Sequence, residues 1–312
     1  MGTAVGDALG LCCEGLSRRR GGRMYPDLER YQLFGGRGLG SDDTDHALIT
    51  AWALEQARDL GHFRALLRRG LRRWFLSLPA GIGMATLRSG VRLTLGLSKT
   101  GVASAGNGPV MRAPVLGCWA VDHDLDLAAW VRACTEVTHT DERAVEASLL
   151  VAQATRRLCL DLPLSADMTT DPFLSDCLAD ILSHSQEETL DYCARKGWGK
   201  GVTGFVYQTV PVVLQACLRH RDDYAGAVRS VIQCGGDTDT TAAIVGGMLG
   251  ARLGKSAIPQ TWLEQHRDWP VSLNWLETEP LRLPAYPRWL ARNLVFFPAI
   301  LAYGFRRLLP PW

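Results

Sequence analysis

Residues 235–253 read GGDTDTTAAIVGGMLGARL, and this stretch decides the fold. It opens with two glycines, continues with alternating carboxylate and hydroxyl side chains, and then becomes rich in alanine and glycine. Small and apolar residues over this length favour a helix that packs closely inside a core. We therefore predict a buried helix over residues 240–253, directly after a cluster of carboxylates.

Apolar residues recur at helical spacing in much of the remaining chain. Gly61 is expected to separate two helices within residues 48–76, and Asp171 and Pro172 suit the start of another helix. Further helices are predicted over residues 125–137, 144–158, 171–182, 187–194, 207–220 and 224–233. Alternating residues with hairpin turns, which are typical of strands, give no convincing run. The sequence thus predicts an all-α protein, folded as a compact orthogonal multi-helix bundle.

Composition and charge place the chain among ordinary globular proteins. It has 312 residues, of which 47% are hydrophobic and 21% charged, and 34 basic residues balance 32 acidic ones. This near-neutral balance gives no reason to expect nucleic acid as the main partner. We interpret the arginine clusters at residues 18–20 and 68–73 as solvated surface.

The cysteines and the N-terminal sequence indicate the cellular compartment. The nine cysteines are scattered, odd in number and without a CxxC pair, so we interpret them as reduced thiols rather than as disulfides or a zinc site. Asp7 and Glu14 interrupt the N-terminal apolar stretch, which argues against a signal peptide. We therefore expect a cytoplasmic protein.

Two distant segments concentrate the polar chemistry: residues 41–45 (SDDTD) and residues 237–240 (DTDT). Each follows glycines and precedes an apolar helix, so each could simply cap that helix. If the two segments meet, however, four to five carboxylates share one site, and such a density of negative charge calls for a cation. Oxygen ligands of this kind suit Mg²⁺ or Mn²⁺ rather than zinc. Two such ions could bind in a central cleft, with a bridging water activated as nucleophile.

Five segments in the same order resemble the motifs of the ADP-ribosylglycohydrolase family, which includes dinitrogenase-reductase-activating glycohydrolases and ADP-ribosyl-acceptor hydrolases. They are Gly6-Asp7-Ala8-Leu9-Gly10 with Glu14 following, Ser41-Asp42-Asp43-Thr44, Gly106-Asn107-Gly108-Pro109-Val110-Met111-Arg112, Thr138-His139 and Gly235-Gly236-Asp237-Thr238-Asp239-Thr240. The resemblance spans roughly residues 1 to 270. A single match would be weak, but five in order are specific.

The resemblance implies a function and a set of residues. It implies hydrolysis of the glycosidic bond between ADP-ribose and a protein side chain, with two Mg²⁺ or Mn²⁺ ions. The implied metal ligands are Ser41, Asp42, Asp43, Asp237, Asp239 and Thr240. The implied catalytic residues are Glu14, Asp42, Asp43 and Asp239, with Glu14 as general base or gate. The implied contacts to ADP-ribose are Gly106, Asn107, Gly108, Met111 and His139, where backbone N–H groups can hold the diphosphate.

Two positions depart from the family pattern. Ser41 stands where a threonine is usual, but the hydroxyl is retained. Gly81 stands where arginine-directed members carry an aspartate that could pair with a guanidinium. This second difference favours serine-linked, O-acyl-linked or other ADP-ribose adducts over arginine-linked ones. Two other functions stay open: hydrolysis of a small ADP-ribose or nucleoside derivative, and a non-catalytic protein that binds ADP-ribose or a protein partner.

The C-terminal part differs from the rest. We predict a catalytic domain over residues 1–270 and an extension over residues 271–312 that contains an apolar helix. The apolar run at residues 294–305 is shorter than the ~20 residues of a membrane span and is interrupted by Pro298. We expect it to pack on the domain or on a second copy. The flanking arginines and tryptophans leave contact with a membrane surface, or with a separate protein, as alternatives.

Overall fold

The computed structural model describes residues 1–306 and 308–310, and the fold that it shows is all-α. The helices are α1 (Gly2–Gly10), α2 (Arg18–Met24), α3 (Asp42–Gln56), α4 (Leu60–Leu76), α5 (Met84–Thr94), α6 (Ala113–Asp122), α7 (Leu127–Thr135), α8 (Glu142–Cys159), α9 (Pro172–Ser183), α10 (Thr189–Arg195), α11 (Val206–Arg219), α12 (Tyr224–Cys234), α13 (Thr238–Leu253), α14 (Gln260–Gln265), α15 (Leu273–Leu276) and α16 (Tyr286–Arg306). Two short strands, β1 (Leu16–Ser17) and β2 (Gly235–Gly236), pair antiparallel.

Helices α1 and α13 form the centre of the fold, and small residues on both sides let their backbones touch. A Cβ atom on Gly6 would lie 2.1 Å from the carbonyl oxygen of Ala242, and one on Gly10 would lie 2.3 Å from that of Thr238. No side chain fits at these distances, so glycine is required where the helices cross. The predicted buried helix at residues 240–253 is thus confirmed, and it begins two residues earlier, at Thr238.

Most predicted helices are present, with shifted ends. The break within residues 48–76 was placed wrongly at Gly61: α3 ends at Gln56 and α4 begins at Leu60. The reason is Asp59, whose side chain accepts a hydrogen bond from the backbone N–H of His62 at 2.7 Å and caps α4. Helix α3 also begins six residues before the predicted segment, inside the Asp-rich stretch.

The C-terminal helix α16 packs on the domain through one side. Trp289, Asn293 and Phe296 are buried there, and Asn293 donates to the carbonyl oxygen of Ser77 at 2.9 Å. The helix continues through Pro298, so the interruption predicted at this residue is wrong. No described helix is long and apolar enough to cross a membrane. The division at residue 270 stays a prediction.

The first two turns of helix α16 contribute to a buried network of charges at the first Asp-rich segment. Asp45, on α3, accepts hydrogen bonds from the indole N–H groups of Trp74 at 2.9 Å and Trp289 at 3.0 Å. The guanidinium of Arg292 lies 3.7 Å from Asp45 and 3.4 Å from Asp268, and it donates to the carbonyl oxygen of Gly40. The helix therefore holds the residue that directly precedes the Asp-rich segment.

Candidate active site

The two Asp-rich segments meet at the N-terminal ends of α3 and α13. Thr240 Oγ1 donates a hydrogen bond to Asp43 Oδ2 at 3.1 Å, and Ser41 Oγ donates to the same oxygen at 3.2 Å. Ser41 caps α3, because its side chain accepts from the backbone N–H of Asp43. Ser41 thus caps the helix and also belongs to the shared cluster, and a direct hydrogen bond joins the two segments.

Asp7 also belongs to this cluster, although it is not among the site residues predicted from the sequence. Oxygen atoms of Asp7, Asp43 and Asp239 all lie within 4.8 Å of one another, and all three residues are buried. Asp7 Oδ2 accepts from the backbone N–H groups of Ser41 at 2.8 Å and Thr44 at 3.0 Å, and from Thr44 Oγ1. Asp7 therefore ties α1 to the start of α3. Its place in the quoted Gly-Asp-Ala motif was the available signal.

The glycine pair before the second segment sets the direction of Asp237. Gly235 and Gly236 adopt φ angles of 73° and 87°, which favour glycine. A Cβ atom on Gly236 would lie 2.0 Å from the carbonyl oxygen of Val202, to which Asp237 N–H donates at 2.7 Å. The diglycine is thus enclosed by backbone on one side.

On its other side the diglycine pairs with β1, and this pairing places Glu14. The register joins Leu16 to Gly236, and Gly15 N–H donates to the carbonyl oxygen of Gly236 at 2.7 Å. Glu14 consequently lines the same cleft as Asp237 and Asp239. Burial is the main cause of the raised pKa of Asp42 and of Asp239, and the negative charge of Glu14 adds to it, so Glu14 lies near both segments.

Burial makes the cluster electrostatically unfavourable when every carboxyl is ionised. Burial, followed by the charges of neighbouring carboxylates, raises the pKa of Asp42, Asp43 and Asp239 well above the ordinary value. Burial also raises the pKa of Asp7 to about 6, although hydrogen bonds from Thr44 and Ser41 lower it. At neutral pH these groups need either bound protons or a bound cation.

The residues present fit a divalent cation. Asp7 Oδ1 and Asp43 Oδ1 are buried carboxylate oxygens without a hydrogen-bond partner, which is costly unless they have another ligand. The donors around them are carboxylates and hydroxyls, the oxygen ligands that Mg²⁺ and Mn²⁺ prefer. The cluster can therefore hold at least one such ion with Asp7, Asp43 and Asp239.

The opposite wall of the cleft comes from residues 104–112. Asn107 Nδ2 donates to Asp237 Oδ2 at 2.8 Å and to Thr209 Oγ1 at 3.0 Å, and its backbone N–H donates to the carbonyl oxygen of Gly204. Asn107 thus orients the carboxylate of Asp237 as well as lining the cleft. Met111 is buried below it and also reaches the cleft.

His139 closes this wall. Its ring lies against Gly108, where a Cβ atom would come within 3.0 Å of the ring, and its Nδ1 is 3.0 Å from Thr138 Oγ1. The buried guanidinium of Arg112 donates to Thr138 Oγ1 at 2.8 Å and holds this pair of residues. Burial, followed by the charge of Arg112, lowers the pKa of His139 to about 3. The imidazole is therefore neutral at physiological pH and can serve as a hydrogen-bonding group.

Together these residues surround a cleft of about 550 Å³. The sequence-predicted residues that line it are Glu14, Asp42, Gly106, Asn107, Gly108, Met111, His139, Asp237, Asp239 and Thr240. Ser41 and Asp43 are buried beside them. Gly81, Gly83 and Met84 line the third side, and residues 81–86 bring no carboxylate to it. All of the predicted site residues thus come together in one place.

Comparison with known proteins points to one family. The family model described as ADP-ribosylglycohydrolase matches residues 1–293. The chain is 27% identical over 274 residues to an ADP-ribosyl-[dinitrogen reductase] glycohydrolase of Rhodospirillum rubrum, covering 85% of this chain and 87% of that protein. It is also 27% identical over 287 residues to an uncharacterised protein of Archaeoglobus fulgidus, covering 86% and 90%. A solved structure titled ADP-ribosylglycohydrolase-related protein complex superposes with a TM-score of 0.62 at 25% identity, covering 96% of this chain and 95% of that one.

Proposed function

Because the chain belongs to the ADP-ribosylglycohydrolase family, we propose that it is a metal-dependent hydrolase that releases ADP-ribose from a protein side chain. The observation that carries this proposal is the meeting of carboxylates from three distant segments in one cleft. Asp7, Asp43 and Asp239 form a buried cluster, and Asp42 and Asp237 face the cleft next to it. Such a cluster destabilises a protein unless it serves a ligand.

The cluster would hold two Mg²⁺ or Mn²⁺ ions. Asp42, Asp43, Asp237 and Asp239 would supply carboxylates, and Ser41 and Thr240 would supply hydroxyls; Asp7 adds a carboxylate that points into the same cluster. The bound ions would position the ribose hydroxyls and polarise a water. These side chains lie at the N-terminal ends of α3 and α13, where hydrogen bonds hold them together, and this supports the assignment.

Glu14 is the proposed general base. It lies on the rim of the cleft, in the turn before β1, and it lies near both Asp-rich segments. From there its carboxylate can accept a proton from a water that attacks ribose C1. Gly106, Asn107 and Gly108 would contact the diphosphate or ribose through backbone and amide donors, and neutral His139 would add a hydrogen bond.

The third wall of the cleft, formed by residues 81–86, indicates which acceptor side chain the site prefers. Gly81 stands where arginine-directed relatives carry an aspartate, and a guanidinium would find no carboxylate on residues 81–86. An arginine acceptor would therefore lack a bidentate partner on this wall. We infer that serine-linked or O-acyl-linked ADP-ribose is the preferred substrate.

The experiment compares release of free ADP-ribose from arginine-linked, serine-linked and O-acyl-linked substrates in the presence of Mg²⁺. We expect release from a serine-linked or O-acyl-linked substrate at a higher kcat/KM than from the arginine-linked one. Gly81→Asp should raise kcat/KM for the arginine-linked substrate by about 10-fold, because it restores a charge-assisted partner.

The matched control is Gly81→Asn, which has the same backbone constraint at a φ of 77° but no charge. It should leave the ratio of kcat/KM between the arginine-linked substrate and the other substrates unchanged. Equal gains from both variants would show that the charge at residue 81 does not select the acceptor. Absence of release from all three substrates would contradict the proposed function itself.

A further inference from the structure

The outer side of α16 is a large apolar surface. Residues 294–305 contain no charged side chain, and although Phe296 is buried on the domain, Val295 is 77% and Phe305 67% exposed. A helix that is apolar on every side is expected to be covered on every side. The domain covers only the inner side of this helix.

An apolar groove adjoins this surface. It has a volume of about 770 Å³ and lies between the end of α4, helix α5 and helix α16. Its walls include the exposed side chains of Leu78, Val91, Leu95 and Phe297. A contiguous exposed patch of this kind marks a surface that binds something.

The segments that build this surface are strongly basic. Residues 60–121 contain nine basic residues and no acidic one, and residues 280–312 contain five arginines and no acidic one. The rest of the chain is left with 20 basic and 32 acidic residues. A net charge of +2 therefore hides two positive segments and a negative remainder, although Arg112 and Arg292 within these segments are buried.

The basic side chains stand next to the apolar ones. Arg88 is exposed beside Leu87 on α5, and Arg306 is exposed at the end of α16. Arg20 donates to the carbonyl oxygen of Leu309 at 3.0 Å, so this arginine lies against the residues that follow α16. We call the outer side of α16, the groove and these flanking arginines the basic apolar face.

We propose that the basic apolar face docks on a bilayer that contains anionic phospholipids. Apolar side chains can enter the boundary between headgroups and acyl chains, while the arginines contact the negatively charged headgroups. A second copy of the chain fits less well, since two such faces would bring like charges together. Nucleic acid would match the arginines but not exposed valine, leucine and phenylalanine.

Docking would place the catalytic cleft beside the bilayer. Residues 78–87 separate the two cavities: Leu78 and Ile82 line the apolar groove, and Gly81 and Met84 line the cleft. None of the residues that line the groove belongs to the carboxylate cluster of Asp7, Asp43 and Asp239. Loss of docking should therefore leave hydrolysis of a substrate in solution unchanged.

Vesicle co-sedimentation of the full chain tests the proposal. We expect binding to vesicles of phosphatidylcholine mixed with phosphatidylglycerol, weaker binding to phosphatidylcholine alone, and loss of the difference at high salt. Val295→Asp combined with Phe305→Asp should reduce binding to the anionic vesicles by at least ~10-fold. The melting temperature and the activity on a soluble substrate should not change.

The matched control is Leu160→Asp combined with Leu162→Asp, two exposed leucines after α8 that lie outside the groove. This variant should bind vesicles as the wild type does. The proposal is overturned if the wild type does not bind anionic vesicles at low salt, or if the α16 variant binds them equally well. It is also overturned if the α16 changes abolish a dimer in solution while vesicle binding is absent.

Discussion

Asp239→Asn is expected to lower kcat for ADP-ribose release by at least ~100-fold, because loss of a direct ligand should exceed the 10–100-fold cost of losing an outer-shell partner. Asp239 is 6% exposed and belongs to the buried cluster with Asp7 and Asp43. An amide keeps the shape of the side chain but removes the charge that a divalent cation requires. The measurement is steady-state release of ADP-ribose at saturating Mg²⁺.

The melting temperature in EDTA, unlike kcat, should not fall, and this distinguishes a metal ligand from a structural residue. In EDTA, Asp239→Asn should melt at or above the temperature of the wild type, because one of several mutually repelling buried carboxylates is gone. Added Mg²⁺ should raise the melting temperature of the wild type more than that of the variant. The control Asp124→Asn, at an exposed position, should change neither activity nor melting. A variant that lost activity by unfolding in EDTA would contradict this account.

Arg292→Met is expected to lower the free energy of unfolding by about 3–5 kcal/mol, because it leaves two buried carboxylates without their cation. Arg292 is 8% exposed, and its guanidinium lies 3.4 Å from Asp268 and 3.7 Å from Asp45. It also holds the carbonyl oxygen of Gly40, while Asp268 accepts from the N–H of the same residue at 3.1 Å. Urea unfolding in EDTA measures the loss without a contribution from metal binding.

The free energy of unfolding that Arg292→Met loses should increase with pH. Burial raises the pKa of Asp45 to about 6 even though Arg292 lowers it, and removal of Arg292 raises this pKa further. A carboxyl with a raised folded-state pKa contributes stability at low pH that is lost as pH rises through that pKa. The difference between Arg292→Met and the wild type should therefore be larger at pH 8 than at pH 5. Arg288→Met, at an exposed position on the same helix, should change stability little at either pH. An equal deficit at both pH values would show that lost packing, and not an unpaired carboxylate, is the cause.

Long periodic helices were predictable because their apolar spacing reports burial directly. Helices α8, α9, α11 and α12 lie close to their predicted ranges. Helices α5 and α6 were not predicted from their residues. Helix α1 was not predicted from its residues either, since three of its nine residues are glycine and its helical propensity is poor. Its contact with α13 overrides that propensity, and contacts across more than 200 residues leave no local pattern.

The candidate site was predictable as a set of residues but not as a geometry. Clustered carboxylates after glycines indicated Asp42, Asp43, Asp237 and Asp239, and the family motifs added Glu14 and the wall at residues 106–108. Asp7, on α1, accepts hydrogen bonds from the backbone N–H groups of Ser41 and Thr44 at the start of α3, and no spacing in the sequence predicts this contact. The link from Arg292 to Gly40 is equally nonlocal. Side chains that hold a site from a distant segment become visible only after folding.

The most direct test of the central claim is release of ADP-ribose by metal-free protein as Mg²⁺ is added back. The substrate carries whichever of the arginine, serine and O-acyl linkages is cleaved with the highest kcat/KM. The protein is stripped with EDTA and then dialysed. We expect no release before Mg²⁺ is added, and full release once Mg²⁺ saturates the site built on Asp43 and Asp239. Undiminished release from stripped protein, insensitive to fresh EDTA, would contradict a metal-dependent hydrolase.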